Sequence, residues 1–126
     1  MKEIIGVLCG GGIGSVLRFL MGQSIQNFFG RNFPWGILFV NVLGCFLMGI
    51  LAIIFVEKFA LNPVWKITLM VGFLGGFTTF SGFTIDVINM FEQGFNLEAI
   101  FYVSSSVILC LLATFGGMWI VKIMNN

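Results

Sequence analysis

Residues 75–83 read GGFTTFSGF, inside a stretch that carries no charge between Lys66 and Asp86. A run this apolar and this long suits a membrane-crossing helix, yet its centre holds paired glycines, paired threonines and a serine threaded between three phenylalanines. Gly75 and Gly76 are weak helix formers and the β-branched Thr78 and Thr79 follow directly, so the pattern predicts a third helix broken near its midpoint. A break at that depth frees backbone amides and carbonyls where there is no water to satisfy them. What satisfies them is the question that the rest of the chain has to answer.

The 126 residues are 59% apolar and 9% charged, with a formal net charge of +1. A small water-soluble domain cannot hide that much apolar surface, so the solvent is lipid. The near-neutral charge excludes the broad basic face that nucleic-acid binding requires. Cys9, Cys45 and Cys110 are odd in number and each lies within an apolar stretch, which argues against an internal disulfide framework and for packing roles. The chain has no histidine, and Asp86 alone among its acidic residues falls near the middle of a span. The usual metal ligands and acid–base partners are therefore nearly absent, and an enzyme is not indicated.

Crossing a hydrocarbon core of roughly 30 Å takes about 20 predominantly apolar residues in a helix. Residues 4–29, 35–56, 63–91 and 97–121 meet that test. The first holds Arg18 and is too long for a cleavable signal peptide. The second is bounded by Arg31, Pro34 and the Glu57-Lys58 pair. The expectation is an all-α integral membrane protein, a single domain over residues 1–126 with four transmembrane helices and short loops. Lys2, Lys58, Lys66 and Lys122 on one side against Arg31 on the other favour a cytoplasmic N-terminus.

Four helices enclose little volume, so a lone subunit is a poor transporter. Gly6, Gly10 and Gly14 in the first span, Gly72 and Gly76 in the third, and Ala113 and Gly117 in the fourth recur at the spacing that lets helices approach closely in lipid. That spacing leaves open whether the partner is in the same chain or a second one.

Polar residues at depth are candidates for function. Tyr102, Ser106, Cys110 and Thr114 share a face of the fourth helix and either line a path or bond the carbonyls of their own helix. Asn41 has two donors and two acceptors, more than its own helix can satisfy, and must bond across an interface or touch a permeant species. Arg18 stays charged and points to water, a vestibule or an acidic partner, with Ser15, Gly22 and Gln26 on the same face. Phe80 and Phe83 lie on one face beyond the break. Their positive ring edges, with the Ser81 hydroxyl and the Asn41 amide, suit a dehydrated anion, although 16 phenylalanines make lipid or core contact the plainer reading. At the break itself, a cation held by carbonyls and a kink closed by threonine hydroxyls are both open.

Taken together, the glycine-rich first span ending in Arg18-Phe19, the VNVLG stretch at residues 40–44 and GGFTTFSGF resemble the Fluc (CrcB) family of bacterial fluoride channels along the whole chain. The resemblance implies a passive, fluoride-selective channel that exports cytoplasmic fluoride across the bacterial inner membrane. It implies an antiparallel, dual-topology homodimer with two pores and a central structural sodium ion. By position, the main-chain carbonyls of Gly75 and Thr78 from each subunit would hold that ion. Phe80, Phe83, Asn41, Ser81, Tyr102 and Ser106 would face fluoride, and Arg18 and Asp86 would be vestibule or structural polar residues.

Three positions depart from the family pattern: Gly82 stands where threonine is usual, Asp86 where glutamate is common, and Cys110 where serine is frequent. The positive bias of the loops also fits poorly with insertion in both directions. Two rivals remain on sequence grounds. A four-helix multidrug-type exporter would need a carboxylate deep in the first span, which has none after Glu3. A non-conducting subunit that requires a partner chain would give Asn41 and the break purely structural roles.

Overall fold

The computed structural model describes residues 1–58 and 62–125, and among these it is helical with no strand. Four helical spans are long and apolar enough to cross a membrane: Lys2–Phe29, Trp35–Val56, Pro63–Glu92 and Asn96–Met124. They fall where the apolar runs put them, with ends differing by at most three residues. The Glu57 and Lys58 side chains, which bounded the second span and supplied one of the positive flanks, lie outside the described part.

The third span is the irregular one. It opens with Pro63–Lys66, where Asn62 accepts the Val64 amide at 3.1 Å as an N-cap. It then widens into a π-helical Ile67–Leu74, tightens again over Gly75–Phe77, breaks, and resumes as Phe80–Glu92. A π-helical run of this length is rare, because π geometry in proteins is mostly confined to single turns.

Packing follows the small residues. The first span lies against the first half of the third, the second span lies against the fourth, and the third changes partner after its break, where Phe80–Glu92 meets the fourth. A Cβ on Gly10 would sit 2.5 Å from the Thr68 carbonyl oxygen, and one on Gly76 2.5 Å from that of Gly11. On the other pair of helices, a Cβ on Gly117 would overlap the Phe46 carbonyl. The spaced small residues of all three spans thus serve contacts within one chain, the first of the two alternatives that their spacing left open.

Beyond the break the core is a cluster of Leu38, Phe83, Val87, Met90, Ala99 and Tyr102. Most other large apolar side chains face outward, as lipid requires.

The turn between the first two spans is closed by one side chain. Gln26 donates from Nε2 to the carbonyls of Gly30 at 2.6 Å and Phe33 at 2.8 Å, and its Oε1 accepts the Gly36 amide at 3.0 Å. An ordinary hydrogen bond contributes about 0.5–1.5 kcal/mol net. Water in this loop replaces part of that, so Gln26→Ala should cost about 1–2 kcal/mol, read as a lower thermal midpoint in detergent.

Candidate functional site

The break falls at Thr78 and Thr79, both extended, and not at the paired glycines, which remain helical. Gly75 and Gly76 are weak helix formers in isolation, but here the missing side chain of Gly76 lets the third span touch the backbone of the first at Gly11. The expected cause of the break is therefore corrected: Gly76 serves contact, Gly75 stays helical, and the threonines carry the change of direction.

Each polar group at the break has a definite fate. The Thr78 amide and hydroxyl both donate to the Leu74 carbonyl, at 3.0 and 2.9 Å, closing the first half of the helix. Thr79 starts the second half as its N-cap, its hydroxyl accepting the Gly82 amide at 3.0 Å. The Thr79 backbone is held from outside: its amide donates to Asn41 Oδ1 at 2.8 Å and its carbonyl accepts from Asn41 Nδ2 at 2.9 Å. The amide that would ordinarily return to the Gly75 carbonyl is thereby redirected across the interface to the second span.

The Thr78 carbonyl points out of the helix and accepts from Arg18 Nη1 at 3.3 Å. The Ser15 hydroxyl donates to the Gly76 carbonyl at 3.4 Å. The residues expected to share a face of the first span do so: Ser15, Arg18, Gly22 and Gln26 line an open concavity of about 1400 Å³ that Asp86 also borders.

A second, smaller concavity of about 260 Å³ opens beside the break. Asn41, Phe80, Phe83 and Ser106 all line it, together with Thr78, Thr79, Cys45 and Cys110. The Phe80 and Phe83 rings are 5.4 Å apart between centroids and inclined at 41°. Their environments are opposite: Phe80 is 76% exposed and projects from the subunit, whereas Phe83 is 8% exposed and packs on Tyr102 at 5.2 Å.

The hydroxyl stripe of the fourth span divides. Thr114 donates to the Cys110 carbonyl of its own helix and reaches the Cys45 carbonyl as well. Ser106 Oγ is buried and has no hydrogen-bond partner among the described residues, whereas the buried Tyr102 hydroxyl has the Asp86 carboxyl as its neighbour, short of a well-formed hydrogen bond. Ser81 lies apart from the groove lining, exposed, with its Oγ 3.2 Å from Thr79 Oγ1.

Two features of the site were not read from the sequence. Cys45 has a packing role only in that reading, yet its place in the groove had a signal, since it follows Asn41 by one helical turn and must share its face. The clamp on Thr79 had none, because its partner is 38 positions away in the chain.

The four apolar spans and the interrupted third helix define a small multi-pass membrane protein, with a mostly apolar groove that presents a few neutral polar groups at the break. The model of the CrcB-like protein, Camphor Resistance (CrcB), family matches residues 5–118, and the chain belongs to that family. It is 43% identical over 122 residues to a Rhizobium etli protein named "Fluoride-specific ion channel FluC", covering 97% of this chain and 98% of that one. A Rhizobium meliloti protein of the same name is 43% identical over 124 residues, 98% and 99% of the two chains. One from Magnetococcus marinus is 40% identical over 116 residues, 92% and 94% of the two chains. The shared name describes channels, not enzymes.

Proposed function

We propose that this chain is a fluoride-selective passive channel of the bacterial inner membrane, and that fluoride passes through the groove at the third-helix break. The observation that carries the reading is the buried Ser106 hydroxyl, unpartnered at the wall of a groove that also presents Asn41, Phe80 and Phe83. A buried hydroxyl left without a partner costs about 1–3 kcal/mol, which a small anion accepting its proton would recover. Hydroxyl and amide donors and ring edges are neutral, so they can replace water around fluoride without holding it too tightly to leave. Tyr102, behind Phe83 and one turn before Ser106, adds a second buried hydroxyl, with Asp86 as its neighbour, and belongs to the same track; Ser81 serves at its exposed margin.

The functional unit in this reading is an antiparallel homodimer with two pores. An outward Phe80 beside an inward Phe83 suits pores in which each subunit contributes one ring to its own groove and one to its neighbour's. A structural sodium ion between subunits is part of the same reading. The Gly75 carbonyl loses its helical donor to Asn41, and the Thr78 carbonyl leaves the helix, so each subunit has two neutral oxygens of the hard type that such a cation prefers. Bound there, the ion would supply fixed positive potential for an anion. The chain's own part is to present those carbonyls, with Arg18 at Thr78 adding charge on the vestibule side.

The test is efflux from liposomes that contain only this purified chain, followed with a fluoride electrode and a chloride control. Fluoride release without chloride release is the expected result, and Phe80→Ile or Phe83→Ile should sharply reduce it with the protein still assembled. No fluoride release from well-folded protein would overturn the reading. Unchanged flux in both variants would remove the rings from the mechanism.

A further inference from the structure

Two side chains of the groove have no part in that reading. Cys45 lies one turn after Asn41 on the second span and Cys110 one turn after Ser106 on the fourth; both are free thiols, partly exposed, and both line the same groove. The two backbones are held at short range, because the Thr114 hydroxyl lies 3.2 Å from the Cys45 carbonyl oxygen and 3.0 Å from that of Cys110. One turn further along, Gly49 and Gly117 keep the helices in contact: a Cβ on Gly49 would overlap the Thr114 carbonyl. Cys110 has the Cys45 thiol as a close ionisable neighbour, with Tyr102 also in range.

We propose that Cys45 and Cys110 form a two-coordinate site for a soft divalent cation at the groove wall. Thiolate sulfur is the softest donor a protein offers, and it selects soft ions over hard ones. Among the described residues no group of three or more His, Cys, Asp or Glu side chains is placed to hold a metal. A tetrahedral zinc centre needs four ligands, so this pair does not supply one. Two sulfurs near one another on adjacent helices, with no third ligand grouped with them among the described residues, suit an ion that accepts linear coordination, of which Hg²⁺ is the practical probe. Each thiol releases its proton to water as its sulfur lone pair forms a bond to the metal. Two sulfur–metal bonds form, two protons leave and no oxidation state changes. The product is neutral, which favours it in a low-dielectric wall. The site stands without the fluoride reading; only a block of flux by the metal rests on it.

The experiment uses the purified full-length chain carrying Cys9→Ser, since Cys9 is exposed and would bind the probe alone. Hg²⁺ is added, the protein is desalted against a competing monothiol, and retained metal and released protons are counted. The expected result is one ion retained per chain with two protons released, and loss of retention when either Cys45→Ser or Cys110→Ser is added. Retention in only one of those variants, two ions per chain, or stripping of the Cys9→Ser protein as readily as of the single-thiol variants would overturn the proposal. If Cys45→Ser fails to fold, Cys110→Ser decides alone. Fluoride flux is scored separately: retained metal with undiminished flux upholds the thiol site and removes the groove from the fluoride route.

Discussion

Asn41→Leu is expected to lose fluoride flux and a large share of the protein's stability together. The leucine removes the acceptor for the Thr79 amide and the donor for its carbonyl, two bonds of 2.8 and 2.9 Å at the point where the helix supplies neither. Leaving a buried backbone group unpaired costs about 1–3 kcal/mol, so the pair costs roughly 2–6 kcal/mol. Against a native stability of about 5–15 kcal/mol, that is enough to unfold a marginal protein. Asn41→Asp keeps the acceptor and the shape but loses the donor. It also puts a carboxylate in the groove proposed to carry an anion, so it should retain more stability than leucine and no more flux. Thermal unfolding in detergent and liposome efflux on the three proteins check this. A leucine variant that melts with the parent would show that the clamp is not what holds the break.

The second large effect is expected from a methyl group. On Gly14 it would overlap the Phe73 carbonyl and lie 2.9 Å from the Phe77 amide, both backbone atoms of the segment leading to the break. Gly12, two residues earlier on the same helix, has open space where its methyl would go. Overpacking costs about 1–3 kcal/mol, and more where backbone must move. Alanine in place of an open helical glycine gains about 1 kcal/mol in propensity. Gly14→Ala should therefore destabilise strongly while Gly12→Ala is neutral or mildly stabilising, a difference read directly from the two unfolding midpoints. Equal midpoints would mean that the first span does not seat on the third as described.

Flux should follow stability in the Gly14 case for a specific reason. Phe73 and Phe77 lead directly into Thr78 and Thr79, so pushing the first span away moves the segment on which the groove is built. In Gly12→Ala that segment is untouched, and flux should be as in the parent.

The spans and the region of the break were legible along the chain because both follow from local chemistry. Lipid demands long apolar runs, and β-branched threonines after paired glycines weaken a helix wherever they occur. The shared faces of Ser15, Arg18, Gly22 and Gln26, and of Phe80 and Phe83, followed from helical periodicity alone. Periodicity states which residues share a face. It does not state what that face meets.

That second matter was decided in three dimensions. Gly76 was read as a helix breaker, but its hydrogen is what lets the first span approach, so the break moved on to Thr78 and Thr79. Asn41 had to bond across an interface or touch an ion; its clamp on Thr79 depends on a partner brought near only by packing of the second span against the third. The stripe from Tyr102 to Thr114 looks uniform, yet Thr114 is satisfied by carbonyls whereas Ser106 is buried without a partner among the described residues and Tyr102 has Asp86 beside it. Composition and spacing by themselves determined a four-span membrane protein with an interrupted third helix. Only the tertiary structure decided which polar atoms are spent in holding the break and which are left over, because hydrogen bonding at membrane depth depends on which groups packing brings together.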